Sequence, residues 1–112
     1  MQEIKVYVAG PYANGDPAIN VRRNIQVCNE LMLLGYIPFV PLLSHFWHII
    51  FPQNYEFWTR YDNAWISSCH VLLRTPGVSS GADAEVELAK KLGIPVVYGV
   101  VELEEKYPLT GG

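Results

Sequence analysis

The stretch IKVYVAGPYANGDPAINVRRNIQVCNELMLLG, residues 4–35, changes its periodicity halfway along. Ile4 to Ala9 is a short β-rich run that stops at Gly10-Pro11, which predicts a first strand. Asp16-Pro17 then sets a capping side chain before a proline at the first helical position. Ile19, Ile25, Cys28, Leu31, Met32 and Leu34 follow at roughly helical spacing. Gly35 stops that helix, because glycine accepts the left-handed backbone of a helix C-terminus.

Outward from this strand–helix unit the same alternation repeats. Tyr36 to Val40 predicts a second strand. Pro41 to Gln53 is an apolar, aromatic connector with no clear period. A helix is expected from about Asn54 to Ser68, a third strand from His70 to Arg74, and a loop from Pro76 to Gly81. Ala82 to Leu92 predicts another helix, ended by Gly93, and Ile94 to Tyr98 a fourth strand. Val100 to Leu103 is read as a short edge strand. Alternating strands and helices predict one α/β domain over residues 1–112, a flavodoxin-like three-layer sandwich with a four- or five-stranded parallel sheet in the order 2-1-3-4(-5). Ligands of such sheets bind beyond the carboxyl ends of the strands. Gly10-Pro11-Tyr12, Leu43-Ser44-His45 and Gly77 to Gly81 are therefore expected to converge.

Composition narrows the function. Half of the 112 residues are hydrophobic, enough for a buried core, and the net charge is −3 with no basic block. Duplex nucleic acid, whose backbone is held by clustered Lys and Arg, is not an expected partner. No apolar run reaches membrane-spanning length, and the start lacks the pattern of a signal peptide. Cys28 and Cys69 stand far apart in apolar company and are expected to pack as small hydrophobes. The expected compartment is the cytoplasm.

The residues able to carry chemistry gather in three places. On the last long helix, Ala82, Leu88, Ala89 and Leu92 form an apolar arc with Glu85 at its centre, whereas Asp83, Glu87, Lys90 and Lys91 fall opposite. A carboxylate on a packed face is costly without partners, so Glu85 either works in a site or caps a neighbouring loop. Ahead of it, Ser79-Ser80-Gly81-Ala82 offers hydroxyls and free N–H groups at a helix start. That suits an anion or plain capping by Ser80 with Asp83 in an S-x-x-D box. Asp62 shares its helix face with Trp58, Trp65 and Ile66. Against indole rings its pKa can rise, as a proton donor requires; otherwise it pairs with Arg60 or Arg23 on the surface. His45 and His48 form H-x-x-H without a third ligand at a convincing spacing, so no metal is expected, and His45 is read as a ligand-facing hydrogen-bonding group. Phe46 to Phe51 can pack on the core, line a base-sized pocket or cover a dimer interface, and Tyr12 is either a pocket wall or a turn aromatic.

Val6-Tyr7-Val8-Ala9-Gly10-Pro11-Tyr12, Asp62-x-x-Trp65 and Ser79-x-Gly81-x-x-x-Glu85 together resemble the nucleoside 2-deoxyribosyltransferase-like superfamily. That group includes 2′-deoxynucleoside 5′-phosphate N-hydrolases and a set of small, largely uncharacterised bacterial and phage domains. The ending Gly77-x-Ser79-x-Gly81-Ala82-Asp83-x-Glu85 with Gly93-Ile94-Pro95-Val96 is most similar to the latter. The resemblance implies a Glu85 nucleophile, Asp62 as the acid by the sugar and base, Ser79 and Gly81 as holders of the sugar or its phosphate, and Gly10 and Tyr12 in the loop that closes over the sugar. It implies N-glycosidic cleavage or transfer on a nucleoside or nucleoside monophosphate through a covalent glycosyl–Glu intermediate, with no cofactor. It also implies a homodimer or higher homo-oligomer. Two departures stand out: the loop after the first strand has no arginine, and His70 stands where the superfamily often has Asp. Two other functions fit the same residues: a non-catalytic nucleotide-binding module, and a phosphoribohydrolase of nucleotide monophosphates with Arg74 at the phosphate.

Overall fold

Period-two burial builds the centre of the protein. In the computed structural model, which describes residues 3–109, strand β1 spans Lys5–Ala9 and buries Val6 and Val8 on one face and Tyr7 and Ala9 on the other. Strand β3, Val71–Arg74, repeats the pattern: Val71 and Leu73 face one way and Leu72 the other. With β2 (Ile37–Phe39) and β4 (Val96–Val97) they form a four-stranded, all-parallel sheet in the order β2-β1-β3-β4. Strands buried on both faces are what a parallel sheet with helices on each side requires.

Helix α1, Pro17–Leu34, starts where the sequence places it. The Asp16 side chain accepts from the N–H of Ala18, and Gly35 closes the helix at φ 102°. Its buried face differs from the apolar spacing: Asn20, Val21, Asn24, Cys28 and Leu31 are buried, whereas Ile19, Ile25, Met32 and Leu34 are exposed. The two asparagines go inward because they hold loops. Asn20 Nδ2 donates to the carbonyls of Tyr12 and Asn14, and Asn24 Oδ1 accepts from the Thr75 hydroxyl at 3.2 Å.

Two elements depart from the sequence reading. The connector after β2 is a 3-10 turn, Pro41–Leu43, followed by helix α2, Ser44–Ile50. Seven residues without a buried member give no amphipathic period to read. The expected fifth strand is instead helix α5, Val100–Lys106. Gly99 turns the chain at φ 105°, and Leu103 then docks on the α1 side of the sheet. Val100-Val101 read as β-rich, but the Glu-Leu-Glu-Glu-Lys that follows favours helix. Helices α3 (Tyr55–Ile66) and α4 (Ser80–Lys91) cover the opposite face, through Ile66 and through Ala82, Val86 and Ala89. The result is a flavodoxin-like three-layer sandwich. Cys28 and Cys69 are free and buried, one in each core layer.

Candidate functional site

The loops at the carboxyl ends of β1 and β3 lock together. Gly77 sits at φ 116°, and a Cβ there would lie 2.8 Å from Pro11 Cγ. Asn14 Nδ2 donates to the Val78 carbonyl at 3.0 Å. Beside them opens a cavity of about 360 Å³, a volume that suits a small molecule. Gly10 and Tyr12 come to it from the loop after β1, and Leu42, Ser44, His45 and His48 from the connector and α2. Tyr55, Trp58, Thr59, Asp62 and Asn63 come from one stripe of α3, with Gln53 just before it, and Gly81, Ala82, Ala84 and Glu85 from the first turns of α4.

Glu85 lies on the wall, half-buried, and accepts a short hydrogen bond from the Tyr7 hydroxyl. Burial pushes its pKa up to about 6, held back by the Tyr7 hydrogen bond and the charge of Arg74. Asp62 faces the same cavity and is raised further, to about 7, first by burial and then by the charge of Glu85. Its Oδ1 is buried without a hydrogen-bond partner, so neither surface pairing, with Arg60 or Arg23, is formed. The Tyr7 phenol is driven far above its ordinary value by burial and then by Glu85. It therefore stays a donor. Of the two carboxyls, Asp62 therefore holds its proton to the higher pH.

The other expected residues divide. Tyr12 Oη and His45 Nδ1 lie 2.6 Å apart, joining the β1 loop to α2 at the cavity. Gly10 packs so closely that a Cβ would collide with the Asn24 amide and the Thr75 hydroxyl. Gly81 faces the cavity, its virtual Cβ 3.7 Å from Tyr55 Oη. Ser79 is not on the wall: it is the N-cap of α4, accepting from Ala82 N–H at 3.1 Å. The cap is thus one residue earlier than the Ser80–Asp83 box, since Asp83 turns to Arg74 at 3.0 Å. His70 accepts from the Lys5 N–H at the amino end of β3, away from the cavity. Among the described residues, no group of three His, Cys, Asp or Glu side chains could hold a metal ion. No helix of the described residues is long and apolar enough to cross a membrane.

Tyr7, His48, Trp58 and Asn63 were not singled out as site residues by the sequence. Tyr7 had a signal: a phenol inside an otherwise aliphatic strand, on the Ala9 side, needs a polar partner. His48 Nδ1 accepts from Trp58 Nε1 at 2.9 Å and from Gln53 N–H at 3.1 Å. Those contacts depend on the unpredicted helix α2.

The chain is similar to the structure of a 2-deoxyribosyltransferase from the psychrotolerant bacterium Bacillus psychrosaccharolyticus, with a TM-score of 0.61 and 23% identity over 84% of this chain and 70% of that one. It is also similar to a conserved protein from Enterococcus faecalis V583, with a TM-score of 0.69 and 19% identity over 87% of this chain and 63% of that one. At these identities the likeness is one of fold. No curated protein matches the chain. Residues 4–99 match the model of a family described as a domain of unknown function, DUF7768, and the chain belongs to that family.

Proposed function

We propose that the cavity cleaves or transfers the N-glycosidic bond of a nucleoside or nucleoside monophosphate, with the sugar carried on Glu85. The observation that carries this reading is the pairing on one wall of two carboxyls of different acidity, Glu85 held by Tyr7 and Asp62 without a partner. The fold shared with a 2-deoxyribosyltransferase supports it. So does the position beyond the carboxyl ends of β1 and β3, where such sheets bind ligands.

In this reading a Glu85 oxygen attacks the anomeric carbon and the carbon–nitrogen bond breaks. Protonated Asp62 gives its proton to the departing base. The glycosyl ester then yields to water, or to a second base, with Asp62 taking a proton back from the attacking group. Tyr7 fixes the Glu85 carboxylate in line. Gly10, Tyr12, His45 and Gly81 shape the sugar end, and Ser79 acts through the start of α4. The phosphoribohydrolase alternative is disfavoured, because Arg74 is tied to the carbonyls of Thr75 and Gly77 and to Asp83. We place the chain, as one domain, with the small bacterial and phage branch of the superfamily, acting in the cytoplasm as a homo-oligomer. Glu85→Gln tests the reaction. Base release from a panel of nucleosides and monophosphates should fall by a factor of ~10³ or more; release at the parent rate would refute the assignment. Binding of nucleosides with no base release by the parent protein would favour a sensing module.

A further inference from the structure

We infer that the cavity accepts a nucleoside with an uncharged sugar and rejects its 5′-phosphorylated form, an inference that rests on the glycosidic reading and narrows its substrate. The basis is the charge of the wall. Asp62 and Glu85 line it, and among the described residues no Lys or Arg does. A phosphate monoester is held by charge-assisted contacts, usually from Arg or Lys. Beside a carboxylate that must be ionised to attack, it is repelled.

The nearby cations are committed or turned away. Arg74 is buried, and its guanidinium bonds the Thr75 and Gly77 carbonyls and Asp83 at 3.0 Å. Arg60 is exposed on α3, outside the stripe of residues 55, 58, 59, 62 and 63 that faces the cavity. The residues outside the described range carry no basic side chain. The start of α4 is occupied in part as well, since Ser79 takes the N–H groups of Ala82 and Asp83 through its hydroxyl and carbonyl. What the wall offers instead is neutral: the hydroxyls of Ser44 and Thr59 and the amides of Gln53 and Asn63. Such groups match sugar hydroxyls and a base edge.

The test compares deoxynucleosides and ribonucleosides with their own 5′-monophosphates, using the full chain, by chromatography of released base and by thermal-shift titration. The expected result is a kcat/KM for the nucleosides roughly a hundredfold or more above that of the matched monophosphates. Ala84→Lys, which adds a cation at an exposed position of the wall, should narrow that ratio by about tenfold; an unchanged ratio would count against charge as the cause. Base release from monophosphates as fast as from nucleosides, or faster, overturns the inference and leaves the glycosidic reaction standing. Nucleosides that bind more tightly than monophosphates without any base release would remove the reaction and retain the uncharged ligand. Failure of both binding and release would remove both.

Discussion

Two carboxyls on one wall, raised by burial to about 6 and about 7, divide the labour by acidity. Between those values Glu85 is ionised and Asp62 holds its proton, so kcat/KM should form a narrow bell centred between them, rising through the Glu85 limb and falling through the Asp62 limb. Tyr7→Phe removes the hydrogen bond that lowers the Glu85 pKa. The acidic limb should then move upward and the bell shrink in height, seen in a pH series of initial rates; an unmoved limb would show that Tyr7 does not act on Glu85. Asp62 also links to stability. Its folded pKa lies above its unfolded value of 3.8, so the folded protein binds the proton more tightly. The burden of a buried charge is absent below the unfolded value, grows as pH rises, and is complete above about 7. Asp62→Asn should therefore stabilise the fold at pH ~8 by about 1–2 kcal/mol, allowing for solvent screening of a partly exposed group, and by almost nothing at pH ~4. Urea titration at the two pH values checks this, and an equal effect at both would contradict it.

Helix α4 and the loop after β1 bring the chemistry into place, and their two glycines do different things. Gly10→Ala drives a methyl into the Asn24–Thr75 contact and should destabilise by about 1–3 kcal/mol. Gly81→Ala meets only ordinary contacts and gains helix propensity. It should stabilise by up to about 1 kcal/mol while lowering kcat/KM, because the methyl enters the cavity. Thermal melts and rates measured on the same preparations separate the two. Helices α1 and α4 were legible beforehand, since Asp16-Pro17 and Gly35 are local signals of the cap and stop of α1, and the inward Glu85 of the packed face of α4. Helix α2 was not legible: it buries none of its residues and is positioned by what it meets in space, such as the bonds of Trp58 and Gln53 to His48. The strand expected at Val100 failed for a related reason, because Gly99 and the docking of Leu103 override two β-branched residues. Tyr7 was visible in the sequence but its role required knowing that Glu85 lies on the same side of the sheet.

The assembled sandwich leaves an apolar surface at α2. Phe46, Trp47, Ile49, Ile50 and Phe51 of α2 and its end are all more than half exposed, next to the cavity. Contiguous apolar exposure of this kind commonly marks an association surface. The protein should run in light scattering at a multiple of its 12.6 kDa chain mass, and Ile50→Glu should shift it toward the monomer; a parent protein that is monomeric at micromolar concentration would contradict this. The central claim, however, concerns a bond. Quenching the protein during turnover of a deoxynucleoside and mapping the peptides by mass spectrometry should show one deoxypentosyl group esterified to Glu85, absent from Glu85→Gln. Base released steadily with no adduct at Glu85, or with the sugar on another side chain, would contradict it.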